Sequence, residues 1–338
     1  MLIGILVSIN LSSCGSDDDE PRQKEEEVDY ELEEALFWET NVLSRCDVVD
    51  NHIAYIISDG EASIVDVNKY YMDGDISIPE KVYYSGTDKS YPVTTIKDGA
   101  FSTCRKLTSL KFPSSLKRVG RFGTNDKPLD NVFGYGNPEE CGIKAGIQHC
   151  ENLKTIYLSN PLETLCIYDC KSLTDLSIPE GTNTIGLSDL TALTNFEVPD
   201  GVEQLCLIGL PITTLYVPNT TTFFSIRDLT ELKKIVWADN LKLTCLHGLC
   251  GLKSLEELFI PSSISTIRGY FSDSSKLSKV HCMALTPPDM FHSGALSDAD
   301  RNRIPLFLVS DNLYVPKGSK DAYKKTKPWS NFKEIIEE

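Results

Sequence analysis

The chain has 338 residues, enough for two domains or one long repeat array. Its apolar content of 41% and charged content of 24% are ordinary for a soluble protein. The formal net charge of −16 argues against a nucleic-acid-binding surface and against attraction to anionic lipid, because both need clustered Lys and Arg.

The first 11 residues, MLIGILVSINL, form an apolar run that is too short to span a bilayer and is typical of a signal-peptide core. The run ends in Leu11-Ser12-Ser13-Cys14, which resembles the lipobox of bacterial lipoproteins. The resemblance implies that residues 1–14 are a signal peptide and that Cys14 is lipidated and becomes the new N-terminus. The alternative is a buried strand with an incidental cysteine.

Residues 15–35 begin with GSDDDE and stay highly charged to Glu34. Such a segment cannot bury apolar surface, which predicts a flexible acidic tether. A calcium loop is the alternative, but the segment lacks the alternating ligands and the turn glycine that such a loop needs. The acidic run also resembles the export signal of lipoproteins in some Gram-negative gut anaerobes. That resemblance implies a lipid anchor at the outer membrane and display on the cell surface.

Residues 36–92 do not follow the repeat described below, and they predict an N-terminal β cap. Residues 53–57 and 62–67 indicate two strands around a turn, and residues 75–79 resemble the strand of a first repeat unit. Residues 82–84 and 91–93 predict a hairpin.

From residue 93 to residue 285 the pattern L-x-x-L-x-L returns about every 20 residues and is often followed by proline. Its first positions are Leu107, Leu153, Leu173, Leu193, Ile212, Leu232, Leu255 and Leu277. Self-similarity at this period predicts a leucine-rich solenoid, in which each unit buries its apolar face against its neighbours.

The fullest unit, residues 95–113, reads TIKDGAFSTCRKLTSLKFP and closely resembles the BspA-like leucine-rich repeat family. The resemblance covers about residues 75–338. It implies a mostly β solenoid with short strands and tight turns or short helices in each unit, closed by an N-terminal β cap and by a C-terminal cap over residues 286–338. Later units lose the Ala-Phe pair, which predicts a tight turn on their second side. The family is associated with adhesion to host matrix proteins, other cells or surfaces.

One step of the ladder is 46 residues long, between Leu107 and Leu153. The extra residues, 120–146, are rich in Gly, Asn and Pro and predict an inserted loop. The insertion carries Phe122, Phe133 and Tyr135, which are candidate binding residues because insertions in solenoids often map to the binding face. In the alternative interpretation, the loop is a degenerate repeat and its aromatic rings pack on the body.

Six of the 11 cysteines fall in two columns of the repeat, which predicts free buried thiols rather than a disulfide framework. Cys150 and Cys170 fall in adjacent units, so a disulfide between them is the alternative. One column reads Cys166, Gly186, Cys206, Ser225, Cys245, and a second reads Cys104, Cys150, Cys170, Leu190, Leu210, Leu229, Leu249. Two groups, Cys245/His247/Cys250 and Cys141/His149/Cys150, lack the paired C-x-x-C spacing of structural zinc, and no metal site is expected.

Residues between the ladder positions should point outward. One outward column contains Tyr157, Tyr216 and Phe259, which we predict as binding residues because aromatic side chains are enriched at interface hot spots. The alternative is a solvated strand face. Five histidines and no recognisable catalytic motif predict a protein without catalytic residues or cofactors; a Cys250–His281 pair is the one conceivable nucleophile and base.

The sequence thus predicts a non-enzymatic, lipid-anchored surface protein that binds an extracellular or host matrix protein and no nucleic acid. The chain is expected to be a monomer. The main alternative is a surface glycan-binding protein of a nutrient-uptake system, and a hydrolase is a third hypothesis.

Overall fold

The computed structural model describes residues 30–122, 143–268, 274–291 and 312–338. The predicted signal peptide with Cys14, residues 15–29 of the tether, and the insertion residues Phe133 and Tyr135 lie outside the described residues. Within them, strands dominate and helices are few. The prediction of a mostly β leucine-rich solenoid is confirmed.

Ten strands form the side that carries the L-x-x-L-x-L pattern, which we call the ladder side. They are β4 (Gly74–Ser77), β8 (Leu107–Lys111), β13 (Thr155–Tyr157), β15 (Asp175–Leu176), β18 (Thr214–Val217), β20 (Lys234–Trp237), β22 (Glu257–Ile260), β24 (Lys279–Cys282), β26 (Asn312–Val315) and β27 (Glu334–Glu337). They pair in parallel as three sheets, β15-β13-β8-β4, β18-β20 and β22-β24-β26-β27.

A 15-stranded sheet, which we call the long sheet, forms the other side of the described solenoid. Its strands are β1 (Val48–Asp50), β2 (Ile53–Ser58), β3 (Glu61–Val67), β5 (Lys81–Tyr84), β6 (Lys89–Ile96), β7 (Phe101–Ser102), β9 (Arg118–Val119), β12 (Ile147–Gln148), β14 (Thr164–Tyr168), β16 (Thr184–Ser188), β17 (Gln204–Ile208), β19 (Phe223–Arg227), β21 (Cys245–Cys250), β23 (Thr266–Arg268) and β25 (Asp289–Phe291). From β6 onward its strands pair in parallel.

The second side of the shorter units is therefore a strand, and the predicted tight turn is wrong. Strands β14, β16 and β17 each have five residues, and their pairing register is unbroken. Their middle residues are buried on both faces of the sheet. A short apolar run that is covered on both faces fits a parallel strand better than a turn.

The core lies between the ladder side and the long sheet. All eight first positions of the ladder are at most 3% exposed. They pack in one cluster with inward residues of the long sheet such as Leu165, Ile185 and Leu205. Each coil thus buries its apolar residues against the coils before and after it, as the repeat predicts.

The chain leaves the long sheet at a corner where the backbone is left-handed. Thr103, His149, Asp169, Asp189 and Asp228 all have φ between 50° and 57° there. Four of these five are Asp or His, and short polar side chains tolerate this region better than β-branched ones do. The repeat of one backbone conformation, coil after coil, keeps the strands of the long sheet in register.

The register corrects two predicted positions in the cysteine columns. Cys166, Gly186, Cys206 and Ser225 are partners as predicted, but Ser225 pairs with His247 rather than with Cys245. Strand β21 contains a β-bulge, because Ile226 pairs with Leu249 and leaves Gly248 as an extra residue. Leu249 therefore lies within the strand. The column position after the corner, which the sequence assigned to Leu249, is occupied by the buried Leu252.

The insertion interrupts one strand of the long sheet. Strand β9 ends at Val119, the chain departs at Gly120, and the strand line resumes in β12 after Gly146. The two ends form an antiparallel ribbon of β10 (Arg121–Phe122) and β11 (Ile143–Lys144). The Gly120 N–H still donates to the Ile96 carbonyl (2.8 Å), and the Gly146 N–H donates to the Cys166 carbonyl (3.2 Å). The insertion therefore leaves the hydrogen bonds between coils in place.

The N-terminal region contains the β2–β3 and β5–β6 hairpins, with β3 parallel to β6 at the end of the long sheet. A helix, α1 (Tyr30–Val42), precedes them and was not predicted, since residues 30–35 were interpreted as tether. Its Ala35 and Val42 are buried, and the Asn68 Nδ2 donates to the Ala35 carbonyl (3.0 Å). The helix is thus held by contacts with the β region rather than by its own apolar pattern.

At the other end, β26 and β27 extend the ladder side, and α2 (Lys320–Lys325) and a 3-10 turn (Trp329–Asn331) lie between them. Tyr323, Trp329, Phe332 and Ile335 are buried, as predicted for a cap. The Tyr323 hydroxyl donates to the Ala284 carbonyl (2.7 Å). None of the helices in the described ranges has both the length and the apolar character needed to cross a membrane.

Candidate functional site

The outward column of the ladder side lies in the register that the repeat predicts. Tyr157 pairs with Lys111, Tyr216 with Val236, and Phe259 with His281. Their inward neighbours, Ile156, Leu215 and Leu258, are buried in the core. The alternation of the strands therefore turns the three aromatic side chains toward solvent.

Tyr157, Tyr216 and Phe259 are 53%, 42% and 43% exposed. They do not form one patch. Three coils separate Tyr157 from Tyr216 and two separate Tyr216 from Phe259, which at ~4.8 Å per coil corresponds to ~14 Å and ~10 Å. The predicted residues thus mark a column ~24 Å long on a rigid face.

Phe259 belongs to a stack of three rings at the C-terminal end of this column. Its ring lies on the His281 ring with centroids 4.3 Å apart and planes 15° apart. The His281 ring lies in turn on Tyr314, at 4.4 Å and 8°. His281 pairs with Tyr314 across β24 and β26, so the parallel register itself superimposes the rings. We call Phe259, His281 and Tyr314 the ring stack.

Both nitrogens of His281 contact carboxylates. Nδ1 lies 2.8 Å from Glu338 Oε1, and Nε2 lies 2.9 Å from Glu257 Oε1. Lys279 Nζ also approaches Glu257 Oε1, at 3.6 Å. Since both faces and both nitrogens of this ring are occupied, His281 can neither act as a general base nor ligate a metal without breaking the arrangement.

The ring stack was only partly predicted from the sequence. His281 is not among the predicted binding residues, and Tyr314 falls in the predicted C-terminal cap, residues 286–338. A signal was present: Leu313-Tyr314-Val315-Pro316 repeats the tetrapeptide Leu215-Tyr216-Val217-Pro218 of the ladder. The cap therefore begins with one more ladder strand.

Phe122 is the one predicted binding residue of the insertion that lies within the described part of the chain. It packs on the long sheet. It contacts a small cluster that includes Ile143, Cys166 and Cys206. A Cβ at Gly186 would lie 3.1 Å from Cys166 Sγ and 3.4 Å from the Phe122 ring. This part of the insertion thus covers the outward face of the sheet, as the alternative interpretation holds.

The thiols offer no accessible nucleophile in the core. Cys104, Cys150 and Cys170 lie in adjacent coils and are fully buried, and none of the nine described cysteines forms a disulfide. Hydrogen bonding to Cys150 and burial raise the pKa values of Cys104 and Cys170. Burial likewise raises the pKa of Cys282.

The conceivable Cys250–His281 pair is not formed. Cys250 ends β21 in the long sheet, whereas His281 lies in β24 on the ladder side and is bonded to two glutamates. Across the described ranges, no group of three or more His, Cys, Asp or Glu side chains is arranged to hold a metal ion.

A comparison with curated proteins finds no match. Three solved bacterial structures match the chain at low sequence identity. A leucine-rich repeat protein from Bacteroides ovatus is 19% identical, with 86% of this chain and 76% of that chain covered and a TM-score of 0.45. A leucine rich cell surface protein from Faecalibacterium prausnitzii is 15% identical, with coverage of 77% and 97% and a TM-score of 0.34. The pneumococcal vaccine antigen PcpA is 16% identical, with coverage of 86% and 98% and a TM-score of 0.22.

Residues 78–190 and 143–227 match the model of the BspA type leucine-rich repeat region, in 6 copies. The matched residues run from the residue after β4 through the long-sheet strand β19. This part of the solenoid, residues 78–227, is similar to the leucine-rich repeat region of the BspA type.

Proposed function

We propose that this chain is a non-enzymatic, lipid-anchored protein of the bacterial cell surface that binds an extracellular or host matrix protein through the outward column of the ladder side. The observation that carries the proposal is the line of half-exposed aromatic side chains, Tyr157, Tyr216 and Phe259, on ladder-side strands that each pair in parallel with a neighbouring strand. A preformed surface loses little conformational entropy on binding, and aromatic anchors contribute much of the binding energy at protein interfaces.

The ring stack favours a protein partner over a glycan at this face. Near-parallel rings on successive strands turn their faces along the solenoid and present their edges to solvent. A sugar that stacks on an aromatic side chain needs a free ring face. His281 has both faces covered and Phe259 has one covered, so the ring stack offers apolar edges flanked by the charged groups of Glu257 and Lys279. Apolar edges rimmed by charge suit a protein interface.

The proposed anchor and location depend on the sequence alone. Cys14 would carry the lipid, residues 15–29 would form the acidic tether, and the anchor would sit in the outer membrane with the solenoid outside the cell. We propose that the protein works as a monomer, in which each copy uses its own outward column.

The test uses protein from residue 15 onward, as wild type and as a Tyr157→Ala/Tyr216→Ala/Phe259→Ala variant. Both are passed over immobilised fibronectin, laminin, fibrinogen and type I collagen. Tyr83→Ala is the matched control, because Tyr83 is 55% exposed but lies in the β5–β6 hairpin. We expect wild type and Tyr83→Ala to bind at least one matrix protein with equal affinity, and the triple variant to bind at least tenfold more weakly.

Retained binding by the triple variant would contradict the assignment of this face. Binding of oligosaccharides alone, lost in the triple variant, would instead identify Tyr157 and Tyr216 as sugar platforms and support nutrient capture. Circular dichroism and a urea unfolding curve show whether the triple variant is folded.

A further inference from the structure

A groove of about 770 Å³ lies on the outward face of the long sheet, on the side of the solenoid opposite the outward column. We call it the long-sheet groove. It is lined by Thr95, Lys97, Asp98, Arg118, Arg121, Phe122, Glu163, Thr164, Asn183, Thr184 and Gln204, with Gly120 between them. Nothing in the proposed function uses these residues.

The floor of the groove is one row of polar side chains on consecutive strands. Thr95, Arg118, Thr164, Thr184 and Gln204 are direct neighbours in the parallel register. The residue that follows each of them, such as Val119, Leu165 or Ile185, is fully buried, so the row lies on the outward face of the sheet, where Thr184 is only 5% exposed. Five hydrogen-bonding side chains are therefore spaced at ~4.8 Å over ~19 Å.

The ribbon of the insertion makes one wall of the groove. Arg121 and Phe122 stand in β10 beside the row, and Phe122 is fixed by its packing on the outward cluster of the sheet. The row continues past Gln204 into Phe223, whose ring meets Phe122 edge to face at 5.6 Å. One end of the polar floor thus adjoins an aromatic pair.

Two of the three cationic side chains that line the groove, Arg118 and Arg121, are paired with carboxylates within it, and the third is Lys97. Arg118 Nε lies 2.5 Å from Glu163 Oε2, and Arg121 Nε lies 2.6 Å from Asp98 Oδ2. An anionic ligand would meet these two carboxylates, and a cationic ligand would meet the two guanidinium groups. Charge pairing therefore disfavours a charged ligand, since it would have to displace an existing partner.

The same groups supply donors and acceptors together. The guanidinium groups donate, the carboxylates accept, and the Thr, Asn and Gln side chains do both. Thr184 Oγ1 already donates to Asn183 Oδ1 (2.9 Å), which leaves the Asn183 amide hydrogens to point elsewhere. A ligand covered with hydroxyl groups, which also donate and accept, matches this lining, and the C–H face of a sugar ring matches the Phe122 edge of the groove.

We infer that the long-sheet groove binds a neutral oligosaccharide, along the row from Thr95 to Gln204. The site is separate from the outward column of the ladder side. It gives the protein a glycan-binding surface in addition to the proposed protein-binding one. A bare solvated sheet face would lack the wall, the aromatic pair and the internal charge pairing.

The test measures binding of cellohexaose, xylohexaose, maltohexaose and mannohexaose, with hexagalacturonate as the anionic comparison, by saturation-transfer NMR and calorimetry. The variants are Gln204→Ala and Arg118→Ala/Gln204→Ala. Thr266→Ala is the matched control, since Thr266 lies in the same sheet at the equivalent strand position but outside the groove. The single variant keeps the test valid if the double variant does not fold.

We expect wild type and Thr266→Ala to bind at least one neutral hexasaccharide with a Kd of ~1 mM or tighter, and the double variant to bind at least tenfold more weakly. The Tyr157→Ala/Tyr216→Ala/Phe259→Ala variant should bind the sugar like wild type, which separates this inference from the proposed function. Binding of none of the four neutral sugars, or of hexagalacturonate alone, would overturn the inference, as would unchanged binding by the Gln204 variants.

Discussion

His281 shows how one residue connects the C-terminal end of the chain to the solenoid. Each of its two ring nitrogens lies within hydrogen-bonding distance of a carboxylate. One of those carboxylates belongs to Glu338, the residue after β27, and the other to Glu257 in β22. The side chain is only 10% exposed, so these contacts are well shielded from solvent. A single imidazole ring thus links the first strand of a four-stranded sheet to the residue that follows its last strand.

We predict that His281→Leu lowers the free energy of unfolding by about 1–3 kcal/mol, because both glutamates lose a hydrogen-bond donor and the ring stack loses its middle member. The measurement is urea unfolding followed by circular dichroism. Lys111→Leu is the control, since Lys111 is an exposed residue of the same column and its replacement should change stability by less than ~0.5 kcal/mol. Equal effects of the two substitutions would show that the bridge contributes nothing.

At the scale of elements, the insertion depends on two glycines where its ends cross. A Cβ at Gly120 would lie 2.2 Å from the Lys144 carbonyl oxygen and 2.6 Å from the Gly146 nitrogen. Gly120 also has φ of 70°, in the left-handed region. The close approach of two backbones, and not only the dihedral angle, requires glycine at this position.

Gly120→Ala should therefore destabilise the protein more than a glycine replacement that meets only the unfavourable dihedral angle. Gly60→Ala is such a control, because Gly60 has φ of 80° and nothing lies within 4 Å of its Cβ position. We expect the control to cost about 1 kcal/mol and Gly120→Ala at least ~3 kcal/mol, measured by urea unfolding. If the two variants unfold at the same urea concentration, the two backbones at this crossing can move apart without lowering the free energy of unfolding, and the prediction is wrong.

An element could be predicted from the sequence where burial in the core selects apolar residues at fixed positions. The ladder was predictable because every coil buries the same positions, so the sequence repeats. The bulge in β21 was not predictable, because an extra residue such as Gly248 leaves no trace in the apolar pattern. The predicted column positions of Cys245 and Leu249 were wrong for this reason. Helix α1 was not predicted, because the exposed apolar residues Leu36 and Phe37 obscure the helical spacing of the buried Ala35 and Val42.

The candidate sites divide in the same way. Tyr157, Tyr216 and Phe259 could be placed on one face because strand alternation is local. The stacking of Phe259 on His281 and Tyr314 depends on which strands become neighbours across 55 residues of sequence, although the repeated Leu-Tyr-Val-Pro offered a clue. The long-sheet groove is made of common polar residues from distant coils, and no local pattern distinguishes them from solvated ones.

At the scale of the whole molecule, the cysteines follow the core from one end to the other. Among the described residues, Cys104, Cys150, Cys166, Cys170, Cys206 and Cys282 are buried, and Cys46, Cys245 and Cys250 are partly exposed. None is paired in a disulfide. The solenoid is thus held by continuous packing between coils, in contrast to small exported domains that need disulfides.

We predict that protein from residue 15 onward, denatured in guanidinium chloride, titrates close to ten free thiols with a chromogenic disulfide, because the sequence has 11 cysteines including Cys14. The native protein should react quickly at the few exposed positions and slowly at the six buried ones. A titre of four or fewer in the denatured protein would mean that the cysteines pair. The cysteines of adjacent coils would then be joined by disulfide bonds.

The crossing at Gly120 and Gly146 has a further consequence for how such chains change over time. A segment that leaves and re-enters a strand at one point, with the hydrogen bonds of the neighbouring coils intact, has its two ends already held together. Doubling the length of a loop closed in this way costs only about 0.6 kcal/mol. The crossing is thus a site at which the solenoid can accept a longer loop, or a whole inserted domain, while the remaining coils keep their register.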